Sequence, residues 1–310
     1  MTRPMLPIAV VSAATVAFAA LPALVNNYYL SFLLVMFMYV SLAGSWNILS
    51  GFAGYPSFGH VAFFGIGSYT AALLITRADI GWPIAVVMGG LVAGVAATLI
   101  GTVVLRLRSV FFAIATLGLA ESLRVLAQSW DGLTKGGMGI SIPPAGDVSV
   151  FYYAMLVTAA LAMLLNYLVG RSDFGLRLLA IRDDEDAASS TGINTTQCKT
   201  AAFVLSSILP GVAGGIYAQY ISYIEPAAVF SVLITIQMVA MALLGGAGTV
   251  FGPVIGVVVL SVIGEIFWAK FPFIQRGLYG ALIMLVVFLM PGGIMDLLQS
   301  RGVLRRRRTI

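Results

Sequence analysis

The sequence predicts an all-α, polytopic membrane protein with about eight to ten transmembrane helices. Charged residues make up 9% of the 310-residue chain, hydrophobic residues make up 60%, and the mean hydropathy is +1.01. Soluble domains carry roughly a quarter charged residues, so this chain cannot cover a water-facing surface and belongs in lipid. Its apolar runs are continuous rather than alternating, which favours helices over a β-barrel.

Ten apolar segments are long enough to be considered as spans. The first resembles a signal peptide, but its apolar run is long enough to cross the bilayer, so we predict an uncleaved first span. The eighth and ninth are short and interrupted by glycine, which sets the lower limit of eight. The approximate spans are 5–25, 28–49, 59–76, 83–105, 109–127, 151–170, 200–220, 231–246, 254–269 and 277–298.

The distribution of basic residues predicts the orientation of the chain. With ten spans and a cytoplasmic N-terminus, twelve of the 17 Lys and Arg fall on the cytoplasmic side, four fall outside, and Arg124 lies within a span. This agrees with the excess of Lys and Arg in cytoplasmic loops of membrane proteins. The basic tail, 300–310, then also lies in the cytoplasm and is an orientation signal rather than a nucleic-acid-binding segment.

A weak internal repeat relates spans 2–5 to spans 7–10. "SFGHVAFFGIGSYTAALL" is followed by the proline-led, glycine-rich "WPIAVVMGG", and "VFSVLITIQMVAMALLGG" is followed by "FGPVIGVVV". The two halves would have opposite orientations, an arrangement found in many transporters. The alternative is that any two glycine-rich spans look alike.

Several classes of chemistry are excluded by what the chain lacks. The one cysteine, Cys198, rules out an internal disulfide, and with the single histidine, His60, it leaves no zinc site of the usual kind. The sequence has no GxxxxGK[ST] phosphate loop. We therefore expect neither a bound cofactor nor ATP hydrolysis by this chain, and no metal site.

An acid-rich segment, 177–194, interrupts the apolar chain between spans six and seven with the letters "RLLAIRDDEDAASSTGIN". Asp183 or Asp184 can cap a short helix there, since acids suit the positive end of the helix dipole, and Gly192 suits its end. Two interpretations remain open for this helix. It is either a solvated connector or a projection that fits a partner.

The pattern Asp186-Ala187-Ala188 with Gly192 four residues further on resembles the "EAA…G" coupling loop of ABC importer permeases, with Asp where Glu is typical. Five segments occur along the chain in this order: "GYPSFGHVAFFGIGSYTAALL", "LRLRSVFFAIATLGLAESLRVL", "DFGLRLLAIRDDEDAASSTGIN", "KTAAFVLSSILPGVAGGIYA" and "LLGGAGTVFGPVIG". In sequence and order they resemble permeases for branched-chain amino acids, in particular the M-type subunit, and the resemblance runs from about 28 to 298. "YP" at 55–56 and "LTKGGMGI" depart from the residues that are usual in that family.

The resemblance implies one type II ABC importer-like transmembrane domain over 1–310 in a bacterial inner membrane. It also implies a related H-type permease, two cytoplasmic ATPases that hold ATP and magnesium, and a periplasmic or lipid-anchored solute-binding protein. The loop 177–194 would dock into the ATPase, with Ala187 and Ala188 facing it. The coupling residues carried over are Arg182, Asp183, Glu185, Asp186, Ala187, Ala188 and Gly192.

The cargo and the driving force have alternatives. Some relatives of this architecture carry urea or short amides instead of amino acids. An ion-coupled secondary transporter would need a carboxylate within the membrane, for which Glu121 and Glu265 are the candidates. A passive channel would need polar pore-lining stripes, which the spans do not show.

Glu121 and Arg124 lie three residues apart in span five, on one helix face. They predict either a self-neutralising structural pair or part of the translocation path. Ser57, His60 and Gln237 predict hydrogen bonds between helices, or a path that includes a broken-helix site at the start of span three.

Glu265 can reach the membrane surface, pair with Arg276 or line a cavity. Two groups of glycines mark positions where helices pack closely or where a gate bends. The candidate gate glycines are Gly59, Gly65, Gly245, Gly246 and Gly248.

Overall fold

The computed structural model describes residue 15, residues 18–270, residue 280 and residues 293–300, and this part of the chain is almost wholly helical. Two two-residue strands, β1 (Ile140–Ser141) and β2 (Tyr223–Ile224), pair antiparallel. The helices are α1 (Asn27–Trp46), α2 (His60–Ala78), α3 (Trp82–Val104), α4 (Ser109–Ser129), α5 (Asp131–Thr134), α6 (Val148–Arg171), α7 (Asp173–Asp183), α8 (Glu185–Ser190), α9 (Thr195–Ile221), α10 (Pro226–Val229), α11 (Val232–Gly245), α12 (Gly252–Lys270) and α13 (Gly293–Ser300).

The predicted spans two to eight agree with the structure to within a few residues. Seven helical segments in the described residues are long and apolar enough to cross a membrane, and they correspond in order to those seven spans. The ninth span is α12, of which Gly252–Phe267 is a shorter apolar helix. Spans 5–25 and 277–298 lie largely outside the described residues, as do the termini. The internal repeat therefore stays a prediction.

Small residues allow α2, α3 and α9 to pack with their backbones nearly in contact. A β-carbon at Gly67 of α2 would lie 2.0 Å from the carbonyl oxygen of Gly211 in α9, and one at Gly214 would lie 2.1 Å from the carbonyl oxygen of Phe64. Side chains at these positions would clash. Close approach through small residues is a usual way to pack helices in lipid, where no hydrophobic force drives them together.

The chain is not continuously helical between α1 and α2. Helix α1 widens into a π-helical turn, Asn47–Phe52, and residues 53–59 have no helical structure. We call residues 47–59 the interrupted segment. It leads to His60 at the start of α2, whose ring lies beside Ser206 in the interior of α9. Most of this segment is buried, so the protein surrounds backbone that has no helical hydrogen bonds of its own.

The connections between spans alternate between two ends of the molecule. At one end, Arg77 Nη2 donates to the carbonyl oxygens of Gly132 and Leu133 at 2.7 and 2.8 Å, and β1 pairs with β2. At the other end, α8 contacts Tyr55 of the α1–α2 connection and Arg108 of the α3–α4 connection, and Arg182 of α7 reaches Gly248 of the α11–α12 connection. This alternation agrees with the predicted order of spans. We refer to the second of these as the α8 end.

Candidate functional site

Helix α8 begins and ends as the sequence predicts. The Asp184 carboxylate accepts hydrogen bonds from the backbone nitrogens of Asp186 and Ala187 at 2.9 and 3.0 Å, which makes it the N-cap. Asp183 is the last residue of α7. Gly192 has a φ of +89°, the left-handed conformation that glycine adopts readily at the end of a helix. The acid-rich loop is thus a six-residue helix directly preceded by another.

The two alanines of α8 face different surroundings. Ala187 is exposed, as expected for a residue that meets a partner. Ala188 is only 4% exposed and packs in a buried apolar cluster that includes Ile181 and Cys198. The prediction that both alanines face the ATPase is therefore wrong for Ala188. This residue faces its own chain, because it belongs to the apolar stripe that attaches α8 to α7 and α9.

Glu185 forms a buried ion pair at the inner side of α8. Lys199 Nζ, from α9, donates to Glu185 Oε1 at 2.5 Å, and the Tyr55 hydroxyl donates to Glu185 Oε2. The Lys199 side chain is 5% exposed and that of Glu185 is 15% exposed. Lys199 Nζ also donates to the Tyr55 hydroxyl at 3.0 Å and to the Leu105 carbonyl oxygen at 3.3 Å.

Charge and burial oppose each other at this pair. Burial raises the pKa of Glu185, but the hydrogen bonds from Lys199 and Tyr55 outweigh it, and the net pKa lies below the usual 4.5. For Tyr55, burial and the hydrogen bond to Glu185 both raise the pKa of the hydroxyl, so it stays protonated and donates. Sequence reasoning missed Tyr55 and Lys199 as members of this site. A lone lysine entering an apolar helix was the only available signal.

Asp186 lies on the outer side of α8 and pairs with Arg108 from the α3–α4 connection. The guanidinium donates to both carboxylate oxygens, at 3.1 and 2.8 Å. Both side chains are largely exposed, at 61% for Arg108 and 76% for Asp186, so water screens the pair and it adds little to stability. The Arg108 hydrogen bond lowers the pKa of Asp186.

Arg182, the other predicted coupling residue, points from the end of α7 into the glycine turns. Its Nη1 donates to the Gly51 carbonyl oxygen at 2.8 Å. A β-carbon at Gly54 would lie 2.8 Å from Arg182 Cγ, and one at Gly248 would lie 2.5 Å from Arg182 Nη1. Arg182 thus connects the α7–α8 elbow to turns from both halves of the chain.

Two buried asparagines join the interrupted segment to α6 and to the α11–α12 turn. Asn47 Nδ2 donates to Asn166 Oδ1 and to the Thr249 carbonyl oxygen, each at 2.9 Å. Asn47 Oδ1 accepts from the backbone nitrogen of Gly248 at 2.7 Å. Both asparagines are 0% exposed. Water does not reach their polar atoms, so these atoms depend on the hydrogen bonds within the protein.

Ser57 and His60 form a hydrogen-bonded group at the broken helix. The His60 ring nitrogens lie 3.0 Å from Ser57 Oγ and 3.2 Å from Ser206 Oγ. Ser57 and His60 are 0% exposed. The backbone between them is held by Thr116 Oγ1, which accepts from the Phe58 nitrogen at 3.1 Å. The group lies where the connection between two spans meets α2, and both a broken-helix site and a place on a translocation path stay predictions.

Glu121 and Arg124 form the predicted pair on α4, with Arg124 Nε 2.9 Å from Glu121 Oε2. The two side chains are 45% and 29% exposed. Helix α4 buries a narrow stripe that includes Phe112, Thr116 and Ala120, and it leaves an apolar face uncovered. Within the described residues, no hydrogen bond or ion pair joins this pair to Ser57 or His60. The pair therefore marks a separate surface.

The remaining polar candidates bond across helices. The Tyr39 hydroxyl of α1 donates to Gln237 Oε1 of α11. The Tyr28 hydroxyl donates to Glu265 Oε1 of α12. Arg276, the predicted alternative partner of Glu265, lies outside the described residues. An apolar cavity of about 200 Å³ opens between α1, α6 and α12, and none of the predicted path residues lines it.

The predicted gate glycines fall into two kinds. At Gly59, Gly65 and Gly245, a β-carbon would lie 2.9 Å or less from neighbouring atoms, so close packing accounts for them. Gly246 and Gly248 have φ values of +115° and +82°, which side chains other than glycine rarely adopt. Whether either kind bends during transport stays a prediction.

These helices define a multi-pass membrane protein with the short helix α8 at one end. The chain belongs to the family described as branched-chain amino acid transport system / permease component. The sequence model of that family matches residues 28–287.

Curated relatives agree with this family. The chain is 28% identical to the high-affinity branched-chain amino acid transport system permease protein LivM of Salmonella typhimurium, over 90% of this chain and 72% of that protein. It is 26% identical to LivH of Escherichia coli, over 87% of this chain and 97% of that protein. It is 27% identical to the autoinducer 2 import system permease protein LsrC of Yersinia enterocolitica, over 52% of this chain and 46% of that protein. No solved structure matches the chain.

Proposed function

We propose that this chain is the transmembrane permease subunit of an ABC importer for branched-chain or other small neutral amino acids. The observation that carries the proposal is the family match across 28–287, which includes the segment that folds as α8. Similarity to a LivM protein over 90% of the chain supports an M-type subunit. The α8 end would then face the cytoplasm of a bacterial cell, in the inner membrane.

The proposed assembly contains a related H-type permease, two cytoplasmic ATPases and a solute-binding protein. Similarity to both a LivM and a LivH protein supports a pair of related permeases. The uncovered face of α4 is the surface we assign to the H-type partner and the path between the two. A half-exposed ion pair facing lipid costs free energy, whereas Glu121 and Arg124 are tolerated beside a protein or an aqueous path.

The proposed mechanism is alternating access driven by the partner ATPases. ATP and magnesium bind to those ATPases, whose closure displaces α8. The displacement changes the permease between inward-open and outward-open states. ATP can drive this change only if it stabilises one state more than the other.

Amino acid cargo is favoured over the alternatives by the names of the relatives. LivM and LivH are branched-chain amino acid permeases, whereas LsrC is named for autoinducer 2 import. The permease fold therefore serves more than one cargo, and the binding protein sets much of the choice. Thermal-shift measurements on the binding protein with leucine, urea and acetamide separate amino acid cargo from urea and amides.

The test is reconstitution of the complete complex in liposomes with binding protein, labelled leucine and internal ATP. We expect uptake that requires ATP and all four membrane-associated subunits. Uptake by this chain alone, driven by a proton or sodium gradient, would instead establish an ion-coupled secondary transporter. A complex that hydrolyses ATP but takes up only urea or an amide would correct the cargo.

A further inference from the structure

We propose that Tyr55, Glu185 and Lys199 form a rigid link that transmits displacement of α8 to the interrupted segment and so positions the start of α2. This link rests on the proposed function, because it assumes that α8 is moved by a partner. It gives the buried acid of α8 a role within the permease, distinct from contact with the ATPase.

The first argument is that both oxygens of the Glu185 carboxylate are engaged. One accepts from Lys199 Nζ at 2.5 Å and the other from the Tyr55 hydroxyl, while Lys199 Nζ lies 3.0 Å from the same hydroxyl. Lys199 Nζ also lies 4.6 Å from the centre of the Tyr55 ring. Three side chains from three elements therefore form a closed triangle, and α8 cannot move without moving Tyr55 or breaking two bonds.

The second argument is the difference between the inner and outer attachments of α8. The Glu185–Lys199 pair is buried, with side chains 15% and 5% exposed. Breaking the contact with Lys199 would leave Glu185 only the more distant Arg108 as a cationic partner, whose Nε lies 3.9 Å from Oε2, which is unfavourable for a carboxylate with little access to water. The Arg108–Asp186 pair is exposed, so water readily replaces the hydrogen bonds between the two side chains. Force applied to α8 would therefore pass through the buried pair.

The third argument is the path beyond Tyr55. Residues 53–59 have no helical structure, but most of them are buried, and the Ser57 and Thr116 hydroxyls bond the backbone nitrogens of Gly59 and Phe58, so packing and side-chain hydrogen bonds restrain the segment. Ser57, two residues on, holds the His60 ring at 3.0 Å, and its carbonyl oxygen accepts from Trp46 Nε1 at 2.8 Å. Motion of Tyr55 is thereby passed to the first residue of α2.

Arg182 supplies a second attachment on the other side of the same segment. It bonds the Gly51 carbonyl oxygen at 2.8 Å and packs against Gly54. The α7–α8 elbow thus holds the interrupted segment at two points four residues apart, Gly51 and Tyr55. Two attachments transmit rotation of α8 as well as translation.

The experiment compares Tyr55→Phe with Tyr153→Phe in the complete complex in liposomes, supplied with ATP and loaded binding protein. Tyr55→Phe keeps the ring over Lys199 and removes only the hydroxyl. Tyr153 donates one hydrogen bond to the Ala19 carbonyl oxygen, away from α8, and is the matched control. We expect Tyr55→Phe to keep its ATPases on purification but to lower amino acid uptake per ATP hydrolysed by at least about fivefold, since the hydroxyl makes two hydrogen bonds and fivefold is the worth of one. Tyr153→Phe should match the wild type.

A double variant separates a link from two independent contacts. Tyr55→Phe combined with Glu185→Gln should lower uptake per ATP no further than the more severe single variant. Additive losses would overturn the link, as would an unchanged ratio in Tyr55→Phe or failure of that variant to assemble. Absence of ATP-driven uptake in the wild-type complex would instead overturn the proposed function, and the link with it.

Discussion

Asn47 and Asn166, 119 positions apart, meet through a hydrogen bond of 2.9 Å at the point where α1 stops being a regular helix. Asn47 Nδ2 and Oδ1 also bond the α11–α12 turn. Asn166 Nδ2 donates to the Gly44 and Ala162 carbonyl oxygens, each at 2.8 Å. The pair therefore joins three parts of the fold in a buried site.

Asn47→Ala should be among the most destabilising single substitutions at the α8 end. It removes the partner of the Gly248 nitrogen and the Asn47 amide that bonds Asn166 Oδ1, and each polar group left unsatisfied costs about 1–3 kcal/mol when buried. Thermal unfolding of the purified permease measures the loss. Ser122→Ala is the control, since Ser122 is exposed and bonds only its own helix. Equal melting temperatures for the two variants would contradict the role given to Asn47.

Ala187→Trp and Ala188→Trp should fail in different ways. Ala187 is exposed, so added volume there should block docking, with loss of the ATPases on purification and a normal melting temperature for the permease alone. Ala188 is buried, so added volume should cost about 1–3 kcal/mol of folding stability. Melting curves and co-purification are measured on both variants. A stable Ala188→Trp permease that merely loses its ATPases would reverse this assignment.

The Glu185–Lys199 pair should make stability depend on pH in the acidic range. The pKa of Glu185 is lowered in the folded protein, so the pair's contribution is fully present above the usual carboxyl value of 4.5. It is lost as the pH falls through the lowered folded value. The difference in melting temperature between wild type and Glu185→Gln should be constant from pH 7 to about 5 and shrink below that. A difference that grows on acidification would contradict the direction of the shift.

Glu121→Gln should lower the stability or yield of the permease, because Arg124 then lacks its partner on a face that meets lipid or protein. Glu121→Gln with Arg124→Gln should recover part of the loss, since removing both charges is less costly than leaving one. Yield and melting temperature test this, with uptake measured alongside. Unchanged stability with lost uptake would place the pair on the translocation path.

The spans could be predicted because each depends on its own composition. A long apolar run identifies a membrane helix wherever its neighbours lie. The start and end of α8 could also be predicted, because the signals for them are local in sequence. Asp184 caps the helix that begins at the next residue, and Gly192 adopts a positive φ just after the helix ends. The pair Glu121–Arg124 was predictable for the same reason, being one turn apart on a helix.

The site around α8 could not be predicted because its members are distant in the chain. Tyr55 lies 130 positions from Glu185 and 144 from Lys199. Nothing in the letters near Ala188 distinguishes a side chain that faces a partner from one that faces its own protein. Packing of α8 on α9 decides that question, and packing depends on the whole fold.

The contacts of Gly67 and Gly214 restrict how this protein can change shape. The backbones of α2 and α9 are in direct contact at these glycines, and Gly89 of α3 packs in the same way on the Gly67 carbonyl oxygen. The three helices therefore cannot slide along one another without steric clashes. These three helices therefore travel as a single rigid body. Helix α4, attached along one narrow stripe, has no comparable restraint. A displacement of α8 that reaches the start of α2 therefore moves α2, α3 and α9 together, and α4 is the helix that can change its position relative to them.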